Sequence, residues 1–286
     1  MTLAEIIRAR QDFAGTRRRR RPRERKGRGI RESQADRRFF ERELRIIVRT
    51  LQLGIAEEIF PILRQSEDEF LTTDTAVRDD FVDDLRGAFR AMRLRNAQLT
   101  EARAQVLSDA IAGRVNERNR RMFFDMIEDQ FGVDLFGVLD ESGLLQTVRL
   151  KSVENAELIK SVNEDLLDKV QTLVFENVVQ GRTDARSIIA QIQEAGQVAE
   201  RKARLIARDQ TAKLNGEINR QRQTSLGIEE YIWETVGDER VRGSHRARNG
   251  KRFRWDSPPP GGPADGGHPS QAIQCRCVAR PIIPDV

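Results

Sequence analysis

The sequence predicts an α+β fold that is mainly α: an N-terminal helical region followed by a compact C-terminal domain of helices packed on a small antiparallel sheet with long loops. Three observations carry this. Of the 286 residues 33% are charged and 6% aromatic, which favours helices with solvated faces over an aromatic-rich sheet. Apolar residues recur at three- and four-residue steps along most of the chain as far as Gly227. Beyond Gly227 the period falls to two, and glycine and proline crowd the intervening loops.

At 38% hydrophobic content the chain can bury one large core or two ordinary ones. No run approaches the roughly 20 apolar residues that cross a bilayer. The opening MTLAEIIRAR mixes acid and base into its short apolar stretch, so neither a membrane span nor a secretory signal is expected. Two cysteines make no disulfide framework, and a Cys-x-Cys pair is too close for an ordinary bridge, which points to a reducing compartment. The net charge of +5 is unevenly spread: residues 17–31 carry +9, residues 200–256 carry +5, and residues 32–199 carry −9, the two ends being balanced.

The division along the chain follows these shifts. Residues 1–35 read as a basic, flexible arm: after a short helix-compatible piece with Leu3, Ile6 and Ile7 come Arg17, Arg18, Arg19, Arg20, Arg21, Arg23, Arg25, Lys26 and Arg28 with almost nothing apolar to bury. Arginines neutralising phosphates give salt-dependent, sequence-independent affinity, so double-stranded DNA is one expected partner of these residues. A solvated tail, or an arm docked on an acidic protein surface, remains the other reading.

Residues 36–145 read as a helical docking region. Phe40, Leu44, Ile47, Leu51, Ile55, Ile59 and Ile62 form one stripe, with Pro61 expected to bend or end the helix. Phe81, Leu85, Phe89 and Met92 form the next, opposite carboxylates at Asp79, Asp80, Asp83 and Asp84. With no His or Cys nearby, those carboxylates read as a solvated face and not a metal cluster. Two further amphipathic segments follow, EARAQVLSDAIAGRV and RRMFFDMIEDQF, and glycines at 132, 137 and 143 mark a connection.

Residues 146–286 form the third part. A helix with Leu166, Val170, Leu173 and Val174 should stop near Gly181; a second, capped by Thr183 or Asp184, should end near Gly196; a third should run to Gly227. Candidate strands then lie in EEYIWET, with Tyr231 and Trp233 on one face, in KRFRW, and in CRCVARPII. His245 and His268 close the two long loops, and Cys275 and Cys277 open the last strand. Two imidazoles and two thiolates are the donor set that tetrahedral zinc takes, and a small sheet with little core would gain from such a clamp. Against it, residues two apart on a regular strand lie about 7 Å apart, so a bend, a single cysteine ligand, or a turn held by hydrogen bonds alone are alternatives. Residues 240–254 hold seven basic residues and no acid, with Phe253 and Trp255 beside them: a second polyanion footprint, or arginines paired with acids over packed aromatics.

These elements in this order resemble a known family. RDQTAKLN on a helix, GIEEYIWETVGDERVRGSH, NGKRF, a Pro/Gly loop ending in HP, and CRC before a strand resemble the phage head morphogenesis domain of minor head proteins similar to the F protein of bacteriophage Mu, over roughly residues 150–283. Trp233, Thr235, Asp238, Arg240, His245, Gly250, Cys275 and Cys277 stand at the motif positions, and the long gap between His268 and Cys275 departs from the pattern. The resemblance implies a non-enzymatic virion component inside the phage head, assembled in the host cytoplasm. It would be recruited to the procapsid by the portal, contact major capsid or scaffold protein and packaged DNA, and aid head assembly or DNA delivery. With the chain stopping at Val286, no appended effector is expected. A different class stays open: a metal-dependent or thiol enzyme, a nuclease or effector, using Asp238, His245, His268 and Cys275 or Cys277. A cellular nucleic-acid-binding regulator would instead need sequence preference, which arginine–phosphate contacts alone do not give.

Overall fold

The computed structural model describes residues 2–13, 25–69, 75–135, 141–182 and 184–283. In chain order these form α1 (Leu3–Phe13), β1 (Arg25–Lys26), α2 (Gln34–Glu69), α3 (Thr75–Phe131), α4 (Ser142–Val179), α5 (Ala185–Ser225), β2 (Glu230–Glu234), α6 (Gly243–Arg248), β3 (Arg252–Arg254) and β4 (Val278–Ile283). The mainly-α α+β class holds.

The helix ends are set by local chemistry. Ser33 Oγ accepts the Asp36 amide at 3.2 Å and starts α2. Gly181, at φ +67°, turns the chain out of α4, and Asp184 Oδ1 accepts the Arg186 amide at 3.1 Å to open α5. At the far end of α5, Gly227 adopts φ +73° while the Ile228 amide donates to the Gln223 carbonyl, the left-handed closure that glycine makes cheaply.

Several expected boundaries move. α2 continues through Pro61 to Glu69, and the amphipathic segments between 75 and 131 are one 57-residue helix. The helix expected to end at Gly196 instead passes through it, giving the single 41-residue α5. A Cβ at Gly196 would run into the Gln52 side chain, so this glycine serves close packing and not a cap.

The chain forms two compact units, each assembled from separated segments. One comprises residues 38–109 and 152–207. In it the expected stripes are buried, from Phe40 to Ile59, from Phe81 to Met92, and from Leu166 to Val174. Arg45 and Arg49 both bind Glu200, at 3.0 Å, and Arg93 binds Asp168 at 2.6 Å. Asp80, Asp83 and Asp84 are exposed, and Asp83 pairs with Arg86.

The other unit comprises residues 1–37, 110–151 and 208–286 and contains the sheet, ordered β1-β4-β2-β3 with every pairing antiparallel. Leu3, Ile6 and Ile7 of α1 lie in its core with Phe123, Ile127 and Ile283. Arg25 and Lys26 pair with Ile283 and Ile282, and Gly27 donates to the Pro281 carbonyl. These stretches of the basic segment are therefore built into the unit, while Arg17, Arg18, Arg19, Arg20, Arg21, Arg23, Gly137 and Thr183 lie outside the described residues. Beyond the strand, Asn215 and Asn219 both donate to the Ile30 carbonyl, at 2.9 and 3.0 Å, and both accept from Asn119. Arg222, fully buried, spans Asn116, Asn119 and Glu141. A buried guanidinium survives only with its donors occupied, so this network fixes α3 and α5 to the chain that follows the arginine run.

Candidate metal centre

Tyr231 and Trp233 stand on one face of β2, opposite Phe253 of β3 and Pro281 and Ala279 of β4. Their rings, with Trp255, Ala272 and the two cysteines, make a small buried cluster. Phe253 packs against Tyr231 at 5.9 Å between centroids and Trp255 at 4.3 Å, so both aromatics belong beneath the loop and are not free to stack on a base. The first long loop contains α6, and His245 on it turns inward, 2% exposed, edge-on to Trp233.

The cysteines do not sit on a strand. β4 begins at Val278, and Gln274 just before Cys275 has φ +57°, so the chain curls before the ladder starts. This removes the spacing objection: off the pleat, residues two apart need not be 7 Å apart. His245 Nδ1 lies 3.5 Å from Cys275 Sγ and 3.6 Å from Cys277 Sγ, and the three donor atoms fall within 4.8 Å of one another, all buried. Zinc at about 2.1 Å from nitrogen and 2.3 Å from sulfur in a tetrahedron sets an N···S edge of about 3.6 Å, which is the spacing found. His245 Nε2 is buried without a hydrogen-bond partner among the described residues.

The thiols are electronically unequal. A hydrogen bond with Cys277 holds the Cys275 thiol down at about 6, while that same bond and burial push Cys277 up.

His268, expected as a fourth ligand, is elsewhere. Its Nδ1 lies 2.9 Å from the Tyr231 hydroxyl, and its ring also bonds the Trp255 backbone. Held by Tyr231 and the Trp255 backbone in the aromatic cluster, it is not among the three donors that converge. Asp238 is also absent from the group. Its carboxylate receives both Arg276 nitrogens, one at 2.7 Å, and the Arg240 amide at 3.2 Å, so it closes a turn and ties the Cys-x-Cys segment to the first loop. Arg240 is exposed.

Other side chains hold the same loops. Thr235 directs its amide and hydroxyl at Asn249 Oδ1, ahead of Gly250 at φ +79°. Arg248 lies over Trp233, 5.1 Å from the ring centroid, and donates to the carbonyls of Pro260 and Asp265 across the second loop. Arg242 reaches the Ile273 carbonyl, Arg252 pairs with Glu230, and Arg254 with Glu229 and Asp256. Most of the basic side chains of this loop are thus internally committed. Asp209, in RDQTAKLN, accepts the Gln274 amide at 2.6 Å, and Ser270 Oγ donates to the Cys277 carbonyl at 2.8 Å. Sequence reading assigned no role to Arg248, Asp209 or Ser270. The only signals were the motif helix holding Asp209 and the basic run holding Arg248.

The family model of Phage Mu protein F like protein matches residues 168–280. Residues 168–280 are thus similar to that family. A protein of Haemophilus influenzae described only as uncharacterized is 34% identical over 183 residues, 64% of this chain and 40% of that protein, so the chain spans well under half of the relative's length. No solved structure matches. The matched segment runs from within α4 into β4 and contains every side chain of the clamp just described.

Proposed function

We propose that the chain is a minor head protein of a tailed phage, recruited to the procapsid through the portal, contacting packaged DNA, and acting in head assembly or DNA delivery. Its Mu F-like domain would act as a fastening module. The observation that carries this reading is what the motif residues do: Trp233, Thr235, Asp238, His245, Cys275 and Cys277 are all spent on holding loops to one another. Asp238, the acid an enzyme would need beside His245, is tied to Arg276 instead.

In the same reading zinc is the resident ion, held by His245, Cys275 and Cys277. Its contribution when bound is to replace the weak thiol–imidazole contacts by ligand bonds that lock the two loops. Purified protein should contain one zinc per chain by elemental mass spectrometry, and a strong chelator should lower its melting temperature. Cys277→Ser should lose the ion and cost on the order of 3 kcal/mol, within the range for loss of a metal. The assembly role is tested by co-expression with the portal and capsid proteins of the same phage: wild type should co-purify with procapsids and Cys277→Ser should not. A multiple-turnover activity lost in His245→Ala, with folding intact, would sink the non-enzymatic reading.

A further inference from the structure

A tetrahedral metal takes four donors, and the loops bring three together. His245 Nδ1, Cys275 Sγ and Cys277 Sγ lie within 4.8 Å of one another, and no carboxylate among the described residues joins them. The sequence limits what else could. It holds two histidines and two cysteines in all, so His268 is the one imidazole or thiol left. That ring is turned to the Tyr231 hydroxyl at 2.9 Å and packs on Tyr231 and Trp255. Polar side chains of the same loops are spent as well. Asp238 presents both carboxylate oxygens to Arg276, and Ser270 Oγ donates to the Cys277 carbonyl at 2.8 Å.

Sites that hold zinc for structure alone close it with four protein ligands, whereas three protein ligands leave a position for water or a small molecule. The donor count puts this centre with the second kind. Burial restricts the size of the occupant: His245 is 2% exposed and each cysteine 3%, which leaves no way in for the side chain of another protein while the loops stay together. Charge restricts its kind. Two thiolates and a neutral imidazole already offset the double charge of the ion, so a neutral ligand completes the shell. The place has a polar demand of its own, too. Trp233 Nε1 and His245 Nε2 are buried without hydrogen-bond partners among the described residues, their ring centroids 5.1 Å apart at the cluster that holds both cysteines. Buried polar atoms left open in this way are the usual seats of an ordered water.

We propose that the metal of this clamp keeps one coordination position for a ligand from outside the chain, filled by water and exchangeable for an anion of a few atoms. The inference rests on the zinc reading above and goes beyond it. His245 and the two cysteines tie the loops with three bonds, and the fourth bond belongs to the solvent.

The test puts cobalt(II) in place of zinc in the full chain, by growth in cobalt-supplemented medium, and titrates the product with azide. The visible bands of cobalt report the number and kind of its ligands, and a near-ultraviolet band reports bound thiolate. Expected are a thiolate band, visible bands of a four-coordinate ion, and a saturable one-to-one shift of the visible bands by azide with the thiolate band retained. A thiolate band with visible bands that azide never moves means a closed site; it overturns this proposal and leaves the zinc reading standing. Absence of the thiolate band overturns both. His268→Asn and Asp238→Asn should each keep the wild-type cobalt spectrum and its azide shift. A changed spectrum in either variant, with cooperative melting retained, assigns the fourth bond to that side chain and also overturns the proposal. Should a variant fail to fold, the titration of the wild-type chain decides by itself.

Discussion

The two histidines of the C-terminal segment have different surroundings. His245 presents one nitrogen to two sulfurs, whereas His268 turns Nδ1 to the Tyr231 hydroxyl inside the aromatic cluster. Burial, helped by Arg220, lowers the affinity of His268 for a proton below the ordinary 6.5. The unfolded chain therefore takes up this proton first on acidification. Stability from His268 is complete above about pH 6.5 and is lost as pH falls towards the lower folded value. His268→Asn keeps a polar partner for Tyr231 but does not titrate. Denaturant midpoints measured from pH 7 to 5 should fall less steeply in that variant than in wild type, and parallel slopes would contradict the assignment. Residue types alone showed that His245, His268, Cys275 and Cys277 belong to one neighbourhood. They did not show which imidazole faces the thiols, because that depends on Tyr231 reaching His268 across 37 residues and on the left-handed turn at Gln274.

At the scale of elements, periodicity located the helices well, since each buried stripe repeats at helical spacing and depends on near neighbours only. Glycine was the weak sign. Gly181 and Gly227 end helices with positive φ, whereas Gly196 and Gly216 lie inside α5 and make room for another segment. The sequence does not distinguish the two uses. A Cβ at Gly216 would stand 2.6 Å from Ser270 Cβ and 3.1 Å from the Pro269 carbonyl, so α5 touches the loop that carries the cysteines. Gly216→Ala should therefore destabilise by about 1–3 kcal/mol through overpacking, even though alanine favours the helix. Gly87→Ala in α3 meets nothing within 4 Å and should stabilise by about 0.5–1 kcal/mol. Urea melts of both variants test the pair, and a Gly216→Ala protein as stable as wild type would mean that α5 and the loop are not in this contact. The short pair β1 went unread for a similar reason: its partner is more than 250 residues away, and two residues are too few to show a period.

For the whole molecule, the segregation of charge is the property most directly set by sequence, and the pairing of segments the least. Nothing in the spacing of residues 25–31 announces that the Ile30 carbonyl is held by Asn215 and Asn219. On the folded domain most basic side chains of residues 240–254 are engaged by carboxylates or carbonyls, which leaves Arg17, Arg18, Arg19, Arg20, Arg21 and Arg23 as the natural source of any broad attraction to DNA. Each phosphate neutralised contributes about 0.9 to the slope of log affinity against log salt. Converting these six arginines to glutamine should thus reduce the slope by up to about 5, with equal loss on duplexes of unrelated sequence, since phosphate contacts carry no base information. Fluorescence anisotropy between 50 and 200 mM salt measures this. A slope that survives the six substitutions would assign any DNA binding to other residues, and a loss confined to one sequence would point to base readout.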